Sequence, residues 1–137
     1  MSDSILNESE RMIAMIIGHL ADGGVTRQTF SVRELGYEAN DDSHRLFRDA
    51  VLWLGYEGII ASGYTERKNQ FSQKDNTIFA RSFFLTSKGF KLLSEKFDGE
   101  LTLGAAVKEA NSNGTGYANA GTFFGGILGG FTKSISG

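Results

Sequence analysis

The spacing of apolar residues changes partway along this chain of 137 residues, and the change limits the folds open to it. Up to Leu54 the large apolar side chains recur every three or four positions, the period of an amphipathic helix. After Gly55 they fall in short blocks rich in Ile and Phe, as strands require. A chain that begins with helices and passes to short strands builds a mainly α fold with a small β-hairpin, of the α+β class. The hydrophobic fraction of 40% and net charge of −2 fit one compact domain and argue against wholesale disorder.

The first helix is expected over about Ser4 to Ala21. Ile5, Met12, Ile13, Ile16, Ile17 and Leu20 share one side, and Asp22-Gly23-Gly24 ends it. A short helix is expected around Ser31–Leu35, with Ser31 and Glu34 at capping-box spacing and Gly36 as its stop. The third begins at Asp41-Asp42-Ser43, where cap oxygens and acidic charge suit a helix N-terminus, and runs to about Leu54. Leu46, Phe47, Ala50, Val51, Trp53 and Leu54 form its apolar face. His44, Arg45, Arg48, Asp49 and Leu52 occupy the other, facing solvent or a partner. Ile59–Thr65 and Ile78–Leu85 read as strands, joined by a polar loop from Glu66 to Thr77 into a hairpin with an extended tip. Thr86-Ser87-Lys88-Gly89 then caps a short helix through Phe97, with Phe90, Leu92, Leu93 and Phe97 available to the core.

The order helix, helix, helix, strand, loop, strand, helix resembles that of the winged-helix (winged helix-turn-helix) superfamily. "YEGII", from Tyr56 to Ile60, is similar to the segment that enters the first wing strand there. "FFLTSKGFKLL", from Phe83 to Leu93, resembles the strand-to-helix junction after the wing, where Leu-Thr-x-x-Gly recurs in many bacterial members. The resemblance covers Ser4 to Phe97 and implies a winged-helix domain over residues 1–97. It speaks to fold more than to function, because this fold serves DNA binding, RNA binding and pure protein contact.

What the resemblance implies first is a small DNA-binding transcriptional regulator. Helix-turn-helix modules place the second helix of the pair in the major groove. The equivalent face here offers His44, Arg45 and Arg48 to bases or phosphates, beside Asp49. Arg67, Lys68 and Lys74 on the loop would reach the DNA backbone or minor groove, and Arg27 and Arg33 would add phosphate contacts from the second helix. The charge distribution agrees: residues 1–42 carry three basic and eight acidic side chains, whereas residues 43–91 carry eight basic and four acidic. The alternative is a non-enzymatic interaction module, in which Leu52 and Trp53 form an apolar patch for a protein partner.

The remainder differs in kind. Residues 98–116 are expected to form a short helix, Leu101–Ala110, and a flexible linker, Asn111–Gly116. Over residues 117–137, a helix would gather Tyr117, Phe123, Phe124, Ile127, Leu128, Phe131 and Ile135 on one face, with Gly121, Gly125 and Gly129 as a second stripe. With Gly126 and Gly130 that makes five glycines, each costing about 1 kcal/mol in a helix, so the segment needs a surface to pack on. A second copy of the chain is the favoured surface, giving a homodimer. Contact with a membrane surface is the lesser option, because Asn119, Thr122, Thr132 and Lys133 make the segment too polar to insert.

Several chemistries are excluded. No cysteine is present, so thiol nucleophiles, disulfides and Cys-containing zinc sites are absent. No GxSxG phrase occurs. Gly114-Thr115-Gly116 begins a dinucleotide-like phrase but meets Asn119 at the third glycine position, and the lysine of "GGFTKS" does not directly follow Gly130. His19 and His44 are the only histidines, and a two-His metal or catalytic site would need the first and third helices to bring them together with a carboxylate, so no metal centre is expected. No enzyme activity and no cofactor are expected. Asp3, Glu8 and Glu10 precede the apolar run Met12–Leu20 where a secretory signal needs positive charge, so a cytoplasmic protein is expected.

Overall fold

The computed structural model describes residues 2–94, 96–98 and 101–102, with side chains placed from residue 8 to residue 94. The expected helix α1 forms over Ser2–Asp22. Met12, Ile13, Ile16, Ile17 and Leu20 are buried on its inner face; the side chain of Ile5 lies outside those described. Its end is built as the sequence implies: the Gly23 and Gly24 amides donate to the carbonyls of Leu20 and Ala21, and Gly24 takes φ +60°. Gln28 Nε2 also donates to the Leu20 carbonyl at 3.2 Å. That bond requires glycine at 23, where a Cβ would stand 2.1 Å from the Gln28 amide nitrogen.

Strand β1, Gln28–Ser31, follows where the sequence suggests no strand. Ser31 and Glu34 exchange the reciprocal hydrogen bonds expected of them, at 3.0 and 3.2 Å. They do not open a helix, however. Ser31 belongs to β1, and only a single 3-10 turn, Arg33–Leu35, fits before Gly36 stops it at φ +89°. Helix α2, Asp41–Tyr56, begins where expected, and its cap is the residue before, Asn40. Asn40 Oδ1 accepts from the Ser43 amide at 2.9 Å, and Ser43 Oγ accepts from the Asn40 amide at 3.1 Å. Phe47, Ala50, Val51 and Leu54 are buried, while Leu46 and Trp53 are half-buried.

β2 (Ile60–Ser62), β3 (Phe71–Lys74) and β4 (Thr77–Leu85) complete an antiparallel sheet in which β4 is central. β1 lines one edge of β4, and β2 and β3 follow one another along the other edge. The expected loop from Glu66 to Thr77 is thereby corrected. Its second half is strand β3, and the chain reverses at Asp75-Asn76, with φ of +53° and +60° as a two-residue primed turn demands. The true loop is residues 63–70, an excursion that interrupts the edge strand and contains the 3-10 turn Arg67–Asn69.

Opposite that excursion β4 carries a bulge. Gln28 pairs with Phe83 and Phe30 with Ala80, so two steps along β1 answer three along β4. Ser82 absorbs the extra residue at φ +56°. The bulge resets the inward alternation, so that Ile78 and Ala80 are buried before it and Phe83 and Leu85 after it. Without it the phenylalanine-rich end of β4 would turn its bulk to the wrong face.

Helix α3, Ser87–Leu93, is capped by Thr86, whose hydroxyl accepts from the Gly89 amide at 3.1 Å. It ends short of the expected Phe97, which lies in strand β5 (Lys96–Asp98), paired with β6 (Leu101–Thr102). Those last two residues are strand where a helix was expected, and residues 103–137 lie outside the described residues. The core closes where α1 and α2 meet each other and the sheet, with Phe30 of β1 edge-on to Phe47 of α2 at 5.6 Å between ring centroids. The described residues therefore form an α+β fold of three helices and a four-stranded antiparallel sheet.

Candidate functional site

The outer face of α2 is the natural starting point, because its periodicity turns charged residues away from the core. Arg45, Arg48 and Asp49 are exposed there. Arg48 lies over the ring of Phe71 in β3, its guanidinium carbon 5.8 Å from the centroid. Phe71 in turn packs against Phe83, at 6.4 Å. That chain of contacts seats the cationic stripe of α2 beside the hairpin, which carries exposed Lys74 three residues beyond Phe71.

The excursion brings a second set of groups to the other end of α2. Arg67 lies over the Tyr56 ring, 5.2 Å from its centroid, and its Nη2 donates to the Tyr56 hydroxyl. Arg81, aimed outward by the bulge, lies over Tyr64 at 4.4 Å and donates through Nη2 to the Tyr64 hydroxyl at 2.9 Å. Its Nη1 donates to the Asn69 carbonyl at 3.1 Å, and its amide to the Gln70 carbonyl at 2.8 Å. Gln70 Nε2 donates to the Tyr64 carbonyl at 2.8 Å. Stacking of arginine on aromatic faces orders these long side chains without neutralising them. Among the described residues, the carboxylate paired with a cation of this region is Glu66, 3.5 Å from Lys68.

Between α2 and the excursion runs a groove of about 590 Å3. Val51, Ile60 and Phe83 form its apolar floor, Leu52 and Tyr56 one wall, and Tyr64 and Arg67 the other.

The sequence-predicted residues divide accordingly. Arg45, Arg48, Lys68 and Lys74 are exposed around α2 and the hairpin. Arg67 is turned back onto Tyr56. Arg33 is tied by its Nε to Thr77 Oγ1 at 2.8 Å, joining the 3-10 turn to the start of β4, and does not belong to a second helix. Arg27, just before β1, lies 5.9 Å from the Phe84 ring centroid. His44 is not the solvent-facing residue expected: it is half-buried, and its Nε2 is buried with no hydrogen-bond partner. Leu52 and Trp53 are likewise half-buried, Leu52 in the groove wall and Trp53 against the core. The tail residues Phe123, Phe124, Ile127, Leu128 and Phe131, with Gly121, Gly125 and Gly129, lie outside the described residues.

Sequence reasoning did not single out Tyr56, Tyr64, Phe71 or Arg81 as site residues. The only signal for them was an unusual pairing of aromatics with arginines over residues 56–81, which has no period and no motif. No group of three or more His, Asp and Glu is placed to hold a metal ion among the described residues. No described helix is long and apolar enough to cross a membrane. Comparison with protein-family models, with curated proteins and with solved structures returns no match for the chain.

Proposed function

We propose that the chain is a winged-helix protein that binds duplex DNA through the outer face of α2 and the β3–β4 hairpin, as a small transcriptional regulator. The observation that carries this reading is the seating of Arg48 on Phe71, which sets the cationic stripe of α2 beside the hairpin and Lys74. The order of elements supports it, as does a sheet whose last strand lies between β1 and the β2–β3 edge. In this reading the second helix of the superfamily is reduced to the 3-10 turn, α2 enters the major groove, and the hairpin is the wing.

Arg45 and Arg48 read base edges or phosphates, while Lys68 and Lys74 neutralise phosphates. His44 stands beside them, half-buried, with its Nε2 buried. The protein acts as a homodimer joined through residues 117–137, which doubles a contact set too small for a single copy. The test is fluorescence anisotropy of mixed-sequence duplex DNA with the full chain at two salt concentrations. Four phosphate contacts per copy, eight in the dimer, predict a fall in affinity of about 10,000-fold between about 50 and 200 mM salt. The Arg45→Ala/Arg48→Ala double variant, with unchanged circular dichroism, loses the binding. Absence of binding at the lower salt, or a double variant that binds as the parent does, refutes the reading and leaves a protein-contact module in its place.

A further inference from the structure

Gly55 sits in the last turns of α2, where glycine costs about 1 kcal/mol relative to alanine. Nothing in the backbone requires it. Its φ is not in the left-handed region, and a Cβ built there would find no atom within 4 Å. The effect of the missing side chain is to hold the groove open between α2 and the excursion, with small Ala61 helping on the strand side.

The lining has a distinct chemistry. Its floor is apolar, and no Asp or Glu is among the lining residues. Both tyrosine hydroxyls accept from arginines, Tyr56 from Arg67 and Tyr64 from Arg81, which leaves each O–H free to donate. Arg67 has further N–H donors beyond the one on Tyr56. The groove thus combines the accessible side chains of Leu52, Tyr56 and Tyr64 with an excess of donors and net positive charge.

We infer that this groove binds a planar ring that carries an anionic group, either an aromatic carboxylate or the base and phosphate of a nucleotide. The ring lies beside Gly55 against Leu52 and the tyrosine rings, above the buried Val51, Ile60 and Phe83, and the anion meets Arg67 and the two tyrosine hydroxyls. A volume of about 590 Å3 is ample for such a molecule. This inference does not rest on duplex binding, since Arg45, Arg48 and Lys74 do not line the groove.

The experiment is a 15N-resolved NMR titration of the full chain with 2-naphthoate and with adenosine 5′-monophosphate. Their neutral counterparts, 2-naphthamide and adenosine, serve as controls. At least one anion shifts the amides around Gly55 and Ala61, and its neutral counterpart binds about tenfold more weakly or worse, as the loss of a charge-assisted hydrogen bond predicts. Which anion binds separates the two sources. Gly55→Phe, which fills the groove from a position with room for a side chain, abolishes the shifts. Arg67→Gln weakens the anion about tenfold and leaves the neutral counterpart unchanged. The inference is overturned if neither anion binds, if neutral and anionic forms bind alike, or if Gly55→Phe folds and binds as the parent does.

Discussion

Two helical glycines offer a matched test of the packing described above, because they share a propensity and differ in their surroundings. Gly55 in α2 and Gly89 in α3 would each gain about 1 kcal/mol of helix propensity on replacement by alanine, somewhat less near a terminus. At Gly55 that gain stands alone, since the added Cβ meets nothing within 4 Å. At Gly89 the Cβ would lie 2.5 Å from the Ile59 carbonyl oxygen and 2.9 Å from Leu85 Cδ2. Neither neighbour can yield freely. The Ile59 carbonyl accepts from the Thr86 amide at 3.0 Å and from the Thr86 hydroxyl at 3.0 Å, and Leu85 is buried. Relief requires α3 to move off the sheet and to disturb the Thr86 cap. Overpacking of this kind costs about 1–3 kcal/mol, enough to exceed the propensity gain. Gly55→Ala therefore stabilises by about 0.5–1 kcal/mol and Gly89→Ala destabilises by about 1–2 kcal/mol. Urea unfolding of the full chain, followed by tryptophan fluorescence and circular dichroism, reads both. A Gly89→Ala protein as stable as the parent would refute the claim that close approach to Ile59 is what demands glycine there.

Other substitutions probe the remaining joints of the fold. Asn40→Ala removes the side-chain acceptor for the Ser43 amide and lowers stability by about 1 kcal/mol in the same unfolding assay. Ser82→Gly releases the left-handed backbone of the bulge and raises stability by up to about 1 kcal/mol, read as an increase in Tm, whereas Ser82→Val lowers it. His44→Leu removes a buried nitrogen that has no partner, so stability in the urea assay holds or rises. Phe47→Ala opens a cavity beside Phe30 and costs about 3–5 kcal/mol, read from the shift in urea midpoint.

Much of this protein was set locally, and the local part was readable from the chain. α1 and α2 declare themselves because their buried side chains recur at helical spacing within one segment. The stops at Gly23-Gly24 and Gly36, the Ser31–Glu34 exchange and the Thr86 cap involve residues at most three or four positions apart. β2 and β4 were legible from their runs of Ile and Phe, and so was the charged outer stripe of α2.

The tertiary structure decided what depends on distant partners. β1 is only four residues long, with two buried, and exists because β4 offers an edge to pair with. β3 is mostly exposed and polar, so only its register against Thr77–Ala80 makes it a strand. The bulge at Ser82 answers a mismatch between the alternation of β4 and the two edges it serves, and no residue type announces it. The half-burial of His44 is a tertiary outcome too, since its place on the helical wheel alone assigns it to solvent. The groove has the same origin: Tyr56, Tyr64, Arg67 and Arg81 meet because the excursion leaves the sheet edge opposite the bulge. Short-range hydrogen bonds and periodicity act within a few residues and leave a mark in the sequence. Strand pairing and groove formation join positions tens of residues apart, and only the folded chain brings those together.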